Sequence, residues 1–413
     1  MKRIPILAAC CLALAACSDQ PDPAGPDQAV PAAPSLSAAG IVRQDKAGEA
    51  TQLQELDPRH LVPGHYNVIF RQDANARAVT AQIRNAHGIA TSHEWDEGWI
   101  KGFSAKMTDK QRDQLRRHPH VAFVNQVVKG RSAGTLYYPY NWGLDRIDQR
   151  ALPLDNAFTY TDSAANVNVY VLDTGIRRTH TDFGGRALTG YDVLTPGGAA
   201  NDCNGHGTFV AAIIGGTEYG VAKRARLYSV RVINCNDTIY SNNAITAANW
   251  VTNNHRKPAV ANFSVEFPGE IPELDQAIHA SIQAGVTWVV AAGNQNRDAC
   301  GHTPAHTLGT ITVGATDRTD TRWSQSDYGA CLNLFAPGVG IESAWWTSDT
   351  AYTVGDGTSY AAPHVAGIAA NYHGRNPTAT PATVKSAIVN NATTGVVKNP
   401  GTGSPNRLAY SRI

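Results

Sequence analysis

Three fragments of this chain carry an aspartate, a histidine and a serine in that order, each beside glycine. They are Val171-Leu172-Asp173-Thr174-Gly175, Asn204-Gly205-His206-Gly207-Thr208 and Gly357-Thr358-Ser359-Tyr360-Ala361. Together these residue types can hydrolyse a carbonyl compound by nucleophilic attack. A hydroxyl attacks, an imidazole takes and returns its proton, and a carboxylate orients the imidazole. Ser359 stands where an apolar, helix-like run begins. Backbone N–H groups of a first helical turn lack intrahelical partners and face incoming negative charge. Pro363 removes a further donor early in that run, which is odd for a purely structural helix. Val289 to Asn294 reads as a buried strand ending in Gly293 and a side-chain amide donor, Asn294. One such donor to an oxyanion is worth roughly 3–4 kcal/mol in the transition state.

Each motif alone has a plainer meaning: a strand-end turn for Asp173, a structural imidazole for His206, a helix cap for Ser359. Other chemistries fit worse. An aspartic protease needs two carboxylates sharing a proton, and no second Asp-Thr-Gly or Asp-Ser-Gly occurs. Lipases and esterases usually carry Gly-x-Ser-x-Gly and the order Ser…Asp…His. A non-catalytic binding or chaperone module on such a scaffold would show a damaged set, and this set is intact.

The elements that must hold these residues follow from the patterning. Val167, Val169 and Val171 alternate into Asp173, which ends a buried strand. Leu227–Ile233, Val260–Val265, Thr287–Ala292 and Ile311–Ala315 are further β-rich runs, with helical segments at Phe209–Ile214, Ala244–Val251 and Leu274–Ala284. Such alternation predicts an α/β domain: a mostly parallel sheet with helices on both faces. Sites in such sheets form at the carboxyl ends of strands. Upstream, between about His60 and Gln126, strands at Tyr66–Phe70, Ile89–Trp95, Trp99–Lys106 and His120–Val124 accompany two helices. One spans Ala74–Ala86 and ends at Gly88. The other opens on the capping box Thr108-Asp109-Lys110-Gln111 and runs through Arg117. This predicts a small α+β unit.

Composition narrows the partners. The 413 residues hold 35 Lys+Arg against 34 Asp+Glu, so there is no electrostatic case for nucleic acid or a membrane surface. The length calls for a main domain with attachments. Lys2 and Arg3 precede an apolar run, Ile4 to Ala16, too short to span a bilayer. It ends Leu14-Ala15-Ala16-Cys17, which resembles a bacterial lipoprotein signal with Cys17 as the lipidated residue. Residues 18–59 read as a disordered tether rich in Pro, Ala, Asp, Gln and Ser in its first part. Of seven cysteines, Cys10, Cys11 and Cys17 belong to the signal. Cys203, Cys235, Cys300 and Cys331 remain, in an exported, disulfide-permissive chain, and counting leaves three pairings open.

The four motifs in this order resemble the subtilisin family of serine proteases, in its proteinase K branch and most like aqualysin-like enzymes. Trp142-Gly143-Leu144-Asp145-Arg146-Ile147-Asp148-Gln149-Arg150, Asp202-Cys203-Asn204-Gly205-His206-Gly207-Thr208 and Ala336-Pro337-Gly338 fit as well. The resemblance implies an inhibitory propeptide of ferredoxin-like fold at 60–134 and a peptidase domain at 135–413. It implies Ser359 as nucleophile, His206 as base then acid, Asp173 as orienter, and Asn294 with the Ser359 N–H as oxyanion hole. It implies the disulfides Cys203–Cys235 and Cys300–Cys331. Polypeptides are the implied substrates, the chain's own propeptide is its inhibitor and folding aid, and a monomer is the expected form. Cleavage near 133–135 would free the enzyme from a lipid carried on the propeptide side.

Substrate is expected to add as an extended strand between Asn236–Tyr240 and Ser264-Val265-Glu266-Phe267, with Asn236, Asp237, Thr238, Ser264, Val265, Glu266 and Gly293 as its contacts. Here the family usually has Ser-Leu-Gly-Gly, and Glu266 replaces a glycine near the rim of the P1 pocket. It reads either as an attractor for Arg or Lys near the scissile bond or as a solvent-facing carboxylate. Phe209 and Tyr360 replace a His and a Met and keep their bulk. Asp145, Asp148, Gln149 and Asp155 match an oxygen-ligand site for calcium in relatives. A second family calcium site is weakened by Asn333, and a third is lost at Val396.

Overall fold

The alternation at Tyr66–Phe70 becomes the inner face of a long strand, β1 (Leu61–Phe70), with Tyr66, Val68 and Phe70 buried. The computed structural model describes residues 61–96, 100–128, 134–137, 139–160 and 164–413, plus the backbone of an antiparallel ladder between Val42–Gln44 and Ala50–Gln52. The signal, Cys17 and the rest of the tether lie outside the described residues.

After β1 come α1 (Ala76–His87), β2 (Thr91–Trp95), β3 (Gly102–Lys106), α2 (Asp109–Leu115) and β4 (Val121–Val128). The antiparallel sheet has the order β2-β3-β1-β4, the ferredoxin-like arrangement. Asn75 caps α1 at its start and Gly88 closes it in the left-handed conformation. Thr108 and Gln111 form the expected reciprocal capping box of α2. Val68, Val79, Ile83, Phe103, Leu115 and Val124 fill the core between helices and sheet.

The rest of the chain is built on a nine-stranded sheet. Its site-bearing elements are α3 (Trp142–Asp148), β5 (Asn168–Asp173), β6 (Ala187–Asp192), α4 (His206–Gly215), β7 (Arg226–Arg231), α5 (Ser241–Asn254), β8 (Ala259–Phe263), α6 (Pro272–Gln283), β9 (Val286–Ala291), β10 (Ile311–Thr316), β11 (Leu334–Pro337), α7 (Thr358–Arg375), β12 (Thr393–Thr394) and β13 (Arg407–Leu408). Strand order is β6-β7-β5-β8-β9-β10-β11-β13-β12, parallel throughout except for the β13–β12 pair.

Strand β5 is buried on both faces. Val169 and Val171 join the core that holds Val210 of α4 and Val365 and Ile368 of α7. Tyr170 and Leu172 point into a second core with Ala248 and Val251 of α5 and Leu274 and Ile278 of α6. A strand covered on both sides needs apolar residues at every position, hence the unbroken run. In register, Asp173 lies beside Arg231, Val171 beside Asn262, and Phe263 beside Val290. The chain therefore leaves β5, β8 and β9 at one carboxyl edge, with Asp173, Ser264 and Asn294 at that edge.

Cys203–Cys235 and Cys300–Cys331 are bonded, with Cα atoms 5.1 and 5.2 Å apart. The sequence separations of 32 and 31 residues correspond to about 3–4 kcal/mol each on the chain-entropy model. Among the described residues, no helix is long and apolar enough to cross a membrane.

Candidate active site

His206 is the first residue of α4 and Asp173 the last of β5. Their side chains meet: His206 Nδ1 lies 2.8 Å from Asp173 Oδ1 and 3.0 Å from Oδ2. Gly207 makes the approach possible. A Cβ there would sit 2.1 Å from the Gly175 carbonyl oxygen and 3.1 Å from the Asp173 Cβ, so α4 can press onto the strand end only without a side chain. Two residues without a role in the sequence reading clamp this junction. Thr174 accepts the Gly207 N–H through its hydroxyl (2.9 Å) and donates to Asp202 (2.8 Å). Asp202 also accepts from the Asn204, Gly205 and Thr208 N–H groups, neutralising free donors at the start of the helix.

Asp173 is fully buried and takes the Thr174 N–H at 2.7 Å, while the His206 side chain is 19% exposed. Burial alone would depress the imidazole pKa. The charge and hydrogen bond of Asp173, with Asp237 and Asp202 further out, outweigh it and hold His206 above its ordinary value.

Ser359 lies in the first turn of α7, half-buried. The oddity of Pro363 has a structural answer. Proline cannot donate to the Ser359 carbonyl one turn back, and the Ser264 hydroxyl donates to it instead at 3.0 Å. Asn262 fixes that hydroxyl by donating to Ser264 Oγ at 2.9 Å. The Ser359 hydroxyl in turn donates to the Ser264 carbonyl at 3.2 Å. Among the described residues no hydrogen bond joins that hydroxyl to His206. Looser catalytic hydrogen bonds are usual before substrate binds.

Asn294 follows β9. Its Oδ1 accepts from the Thr358 N–H (2.9 Å) and hydroxyl (2.7 Å). With the oxygen so fixed, the amide nitrogen is left to donate outward. Among the described residues nothing accepts from the Ser359 N–H. Two donors thus stand beside the Ser359 side chain.

One cleft is lined by His206, Asn294, Ser359 and, of the expected substrate contacts, Asp237, Ser264, Val265, Glu266 and Gly293. Asn236 and Thr238 do not line it. The Asn236 and Thr238 N–H groups donate to Asn234 Oδ1 and shape the turn that presents Asp237. Ile233, Ile239, Ala291 and Tyr360 line the cleft without having been singled out for it. Tyr360 lies 4.3 Å from Phe209 and 5.6 Å from His206 between ring centroids. The two substituted residues therefore pack on each other and back the imidazole. Burial raises the Tyr360 hydroxyl to about 12.

Asp145, Asp148, Gln149 and Asp155 gather at the end of α3. Asp145 takes the Asn156 N–H at 2.8 Å, and Asp148 takes the Thr159 N–H at 2.7 Å and an Arg412 nitrogen at 2.8 Å. Gln149 accepts the Asp155 N–H. One oxygen each of Asp145 and Asp148 is buried without a partner. Burial pushes the Asp145 carboxyl up to about 7 despite the Asn156 bond, and Asp155 and Asp148 add repulsion. Two of these oxygens, one each on Asp145 and Asp148, are thus buried and unpartnered beside further acids, which suits a hard cation such as calcium. Arg412 already pairs with the other Asp148 oxygen, and among the described residues the acids and imidazoles whose ligand atoms all lie within 4.8 Å of one another are instead Glu266, His302 and Asp327.

The parallel sheet, with an acid–imidazole pair and a helix-borne serine at its carboxyl edge, defines a subtilisin-like serine hydrolase. The subtilase family model matches residues 164–409, and the chain belongs to that family as a subtilisin-like serine endopeptidase. An extracellular serine proteinase of Thermus sp. (strain Rt41A) is 46% identical over 376 residues, 86% of this chain and 91% of that protein. Alkaline serine exoprotease A of Vibrio alginolyticus is 43% identical, over 76% of this chain and 59% of its own length. The crystal structure of a cold-adapted subtilisin-like serine proteinase, 43% identical, superposes with a TM-score of 0.64, covering 66% of this chain and 98% of that one.

Proposed function

We propose that this chain is an exported endopeptidase that hydrolyses peptide bonds through Asp173, His206 and Ser359 and makes its first cut in its own precursor. The carrying observation is that His206, held from behind by buried Asp173 at 2.8 Å, lines the same cleft as a helix-borne serine whose N–H has no partner among the described residues. In this reading Ser359 Oγ attacks the substrate carbonyl carbon while His206 Nε2 takes its proton. The oxyanion forms against the Ser359 N–H and the Asn294 amide. His206 gives the proton to the leaving amine, and the C–N bond breaks. A water, deprotonated by His206, then opens the acyl-enzyme and restores the Ser359 hydroxyl. Substrate lies extended between Asp237–Ile239 and Ser264–Glu266. A fluorophosphonate probe is expected to label one residue per chain, Ser359, as located by peptide mapping. A folded protein that takes up no label would overturn the reading and favour a non-catalytic binding module.

The ferredoxin-like unit ahead of the peptidase domain supports a role as propeptide. The positive, apolar N-terminus ending at Cys17 supports export and lipidation of the precursor. A cut near 133–135 would then separate enzyme from lipid.

Calcium is proposed as a structural ligand of Asp145, Asp148, Gln149 and Asp155, relieving the two unpartnered buried oxygens. Chelation is expected to lower the melting temperature by about 5–10 °C, the scale of a ligand held near a hundred times its dissociation constant. In Asp145→Asn the chelator should have little further effect. A wild-type melting temperature indifferent to chelator would remove calcium from the account.

A further inference from the structure

The geometry points to Glu266 as a positioning residue for the oxyanion hole: its carboxylate holds the Asn294 peptide and so ties the substrate-pairing segment to the oxyanion donor. This deepens the proposed function and rests on Asn294 being that donor. Glu266 follows Ser264 and Val265 on one wall of the cleft, and Gly293 and Asn294 form another part of its lining. Glu266 Oε2 accepts the Asn294 N–H at 2.8 Å, and its side chain is only 22% exposed. It is neither a free rim charge nor a solvated carboxylate.

Behind it stands a second acid. Asp327 is fully buried and accepts the Gln295 and Arg297 N–H groups, both at 2.9 Å, while its own N–H donates to the Gly293 carbonyl at 2.8 Å. His302 Nε2 lies 2.9 Å from the other Asp327 oxygen. That hydrogen bond and those from Arg297 and Gln295 outweigh burial and keep Asp327 below the usual carboxylate range. Arg297 lies 3.7 Å from Glu266 and 3.6 Å from Asp327. Glu266, His302 and Asp327 come close enough to hold an ion, but Arg297 already brings a cation to both acids. The group is better read as a clamp on the 293–297 turn.

Gly293 shows how closely the clamp fits. It has φ +111°, and a Cβ there would lie 2.3 Å from Glu266 Oε2 and 2.4 Å from Asp327 Oδ2. Both acids press on the backbone that aims Asn294. Because Glu266 adjoins the residues that pair with substrate, a shift of that segment reaches the oxyanion donor through one hydrogen bond.

The test compares Glu266→Gly, Glu266→Gln and Asn294→Ala on peptides with Phe or Arg before the scissile bond. Rates are normalised to sites titrated with the fluorophosphonate, so unfolded protein does not count. Glu266→Gly is expected to lower kcat about tenfold on both peptides, with KM changed less than about twofold. Glu266→Gln keeps an acceptor oxygen and should recover most of the loss. Adding Glu266→Gly to Asn294→Ala should cost little more, because the two act through one donor. An unchanged kcat in Glu266→Gly while Asn294→Ala is impaired would overturn the clamp alone. An effect confined to KM for the Arg peptide would assign Glu266 to P1 attraction instead. An unimpaired Asn294→Ala would instead remove the oxyanion role of Asn294.

Discussion

Ser359→Ala is expected to accumulate as a folded, unprocessed and inactive precursor. The fold should tolerate the change. Ser359 is half-buried, and among the described residues its hydroxyl makes one hydrogen bond, the 3.2 Å contact to Ser264, worth about 1 kcal/mol net. The backbone of α7 keeps its other supports. Thr358 still meets Asn294, and Ser264 still meets the Ser359 carbonyl, since neither bond uses the lost oxygen. Chemistry, by contrast, loses its nucleophile. The expected fall in kcat is on the order of 10⁶-fold, the scale measured in subtilisin itself, with residual catalysis from the oxyanion donors and binding. If the first cut is made by the chain's own site, that loss blocks maturation too. The precursor should keep residues before 133 and remain in the membrane fraction if Cys17 is lipidated. Wild type should yield a soluble enzyme beginning near 133–135. Immunoblotting of both fractions and N-terminal sequencing read these outcomes. A processed Ser359→Ala would show that another protease makes the cut, and a mature wild type that stays in the membrane would exclude release from a lipid anchor.

How far the sequence could be read depended on whether the signal was local. The Thr108–Gln111 box is a contact between residues three apart, and the structure has it. The run into Asp173 was legible because a strand buried on both faces must be apolar at every position. Strand β6 was not, since Ala187–Asp192 carries a glycine, a bulge and polar residues. Nor were β12 and β13, which are two residues each. The expected strand Val260–Val265 ends at Phe263, and Ser264 and Val265 continue as irregular backbone open to the cleft. The supports of Ser359 and Asn294 were hidden for another reason. Ser264 completes the bond that Pro363 cannot make across 95 residues of chain, and Glu266 reaches Asn294 across 28. Sequence showed the oddities, a proline in a helix and a carboxylate where glycine is usual. Only the fold supplies their partners.

Asp173→Asn is expected to cost about 10⁴-fold in kcat, with the fold intact, and the reason lies in one proton. The Asp173 carboxylate accepts at both oxygens from the His206 side, at 2.8 and 3.0 Å, and from the Thr174 N–H. That arrangement keeps the proton on Nδ1 and leaves Nε2 as the acceptor that Ser359 needs. Asparagine retains one carbonyl oxygen, enough for Thr174, but its amide then points N–H groups at Nδ1. The ring answers by moving its proton to Nε2, where it cannot take one from serine. Volume and burial hardly change, so KM should stay close to wild type. The pH profile separates this from a packing defect. Wild-type kcat/KM should rise with pH through a His206 midpoint above 6.5, because the Asp173 charge outweighs burial. Without that charge, burial acts with less opposition and the midpoint should move down. The variant would thus be slower while losing its base to protonation only at lower pH. A kcat within tenfold of wild type, or an acid limb that does not move, would detach Asp173 from the imidazole it touches.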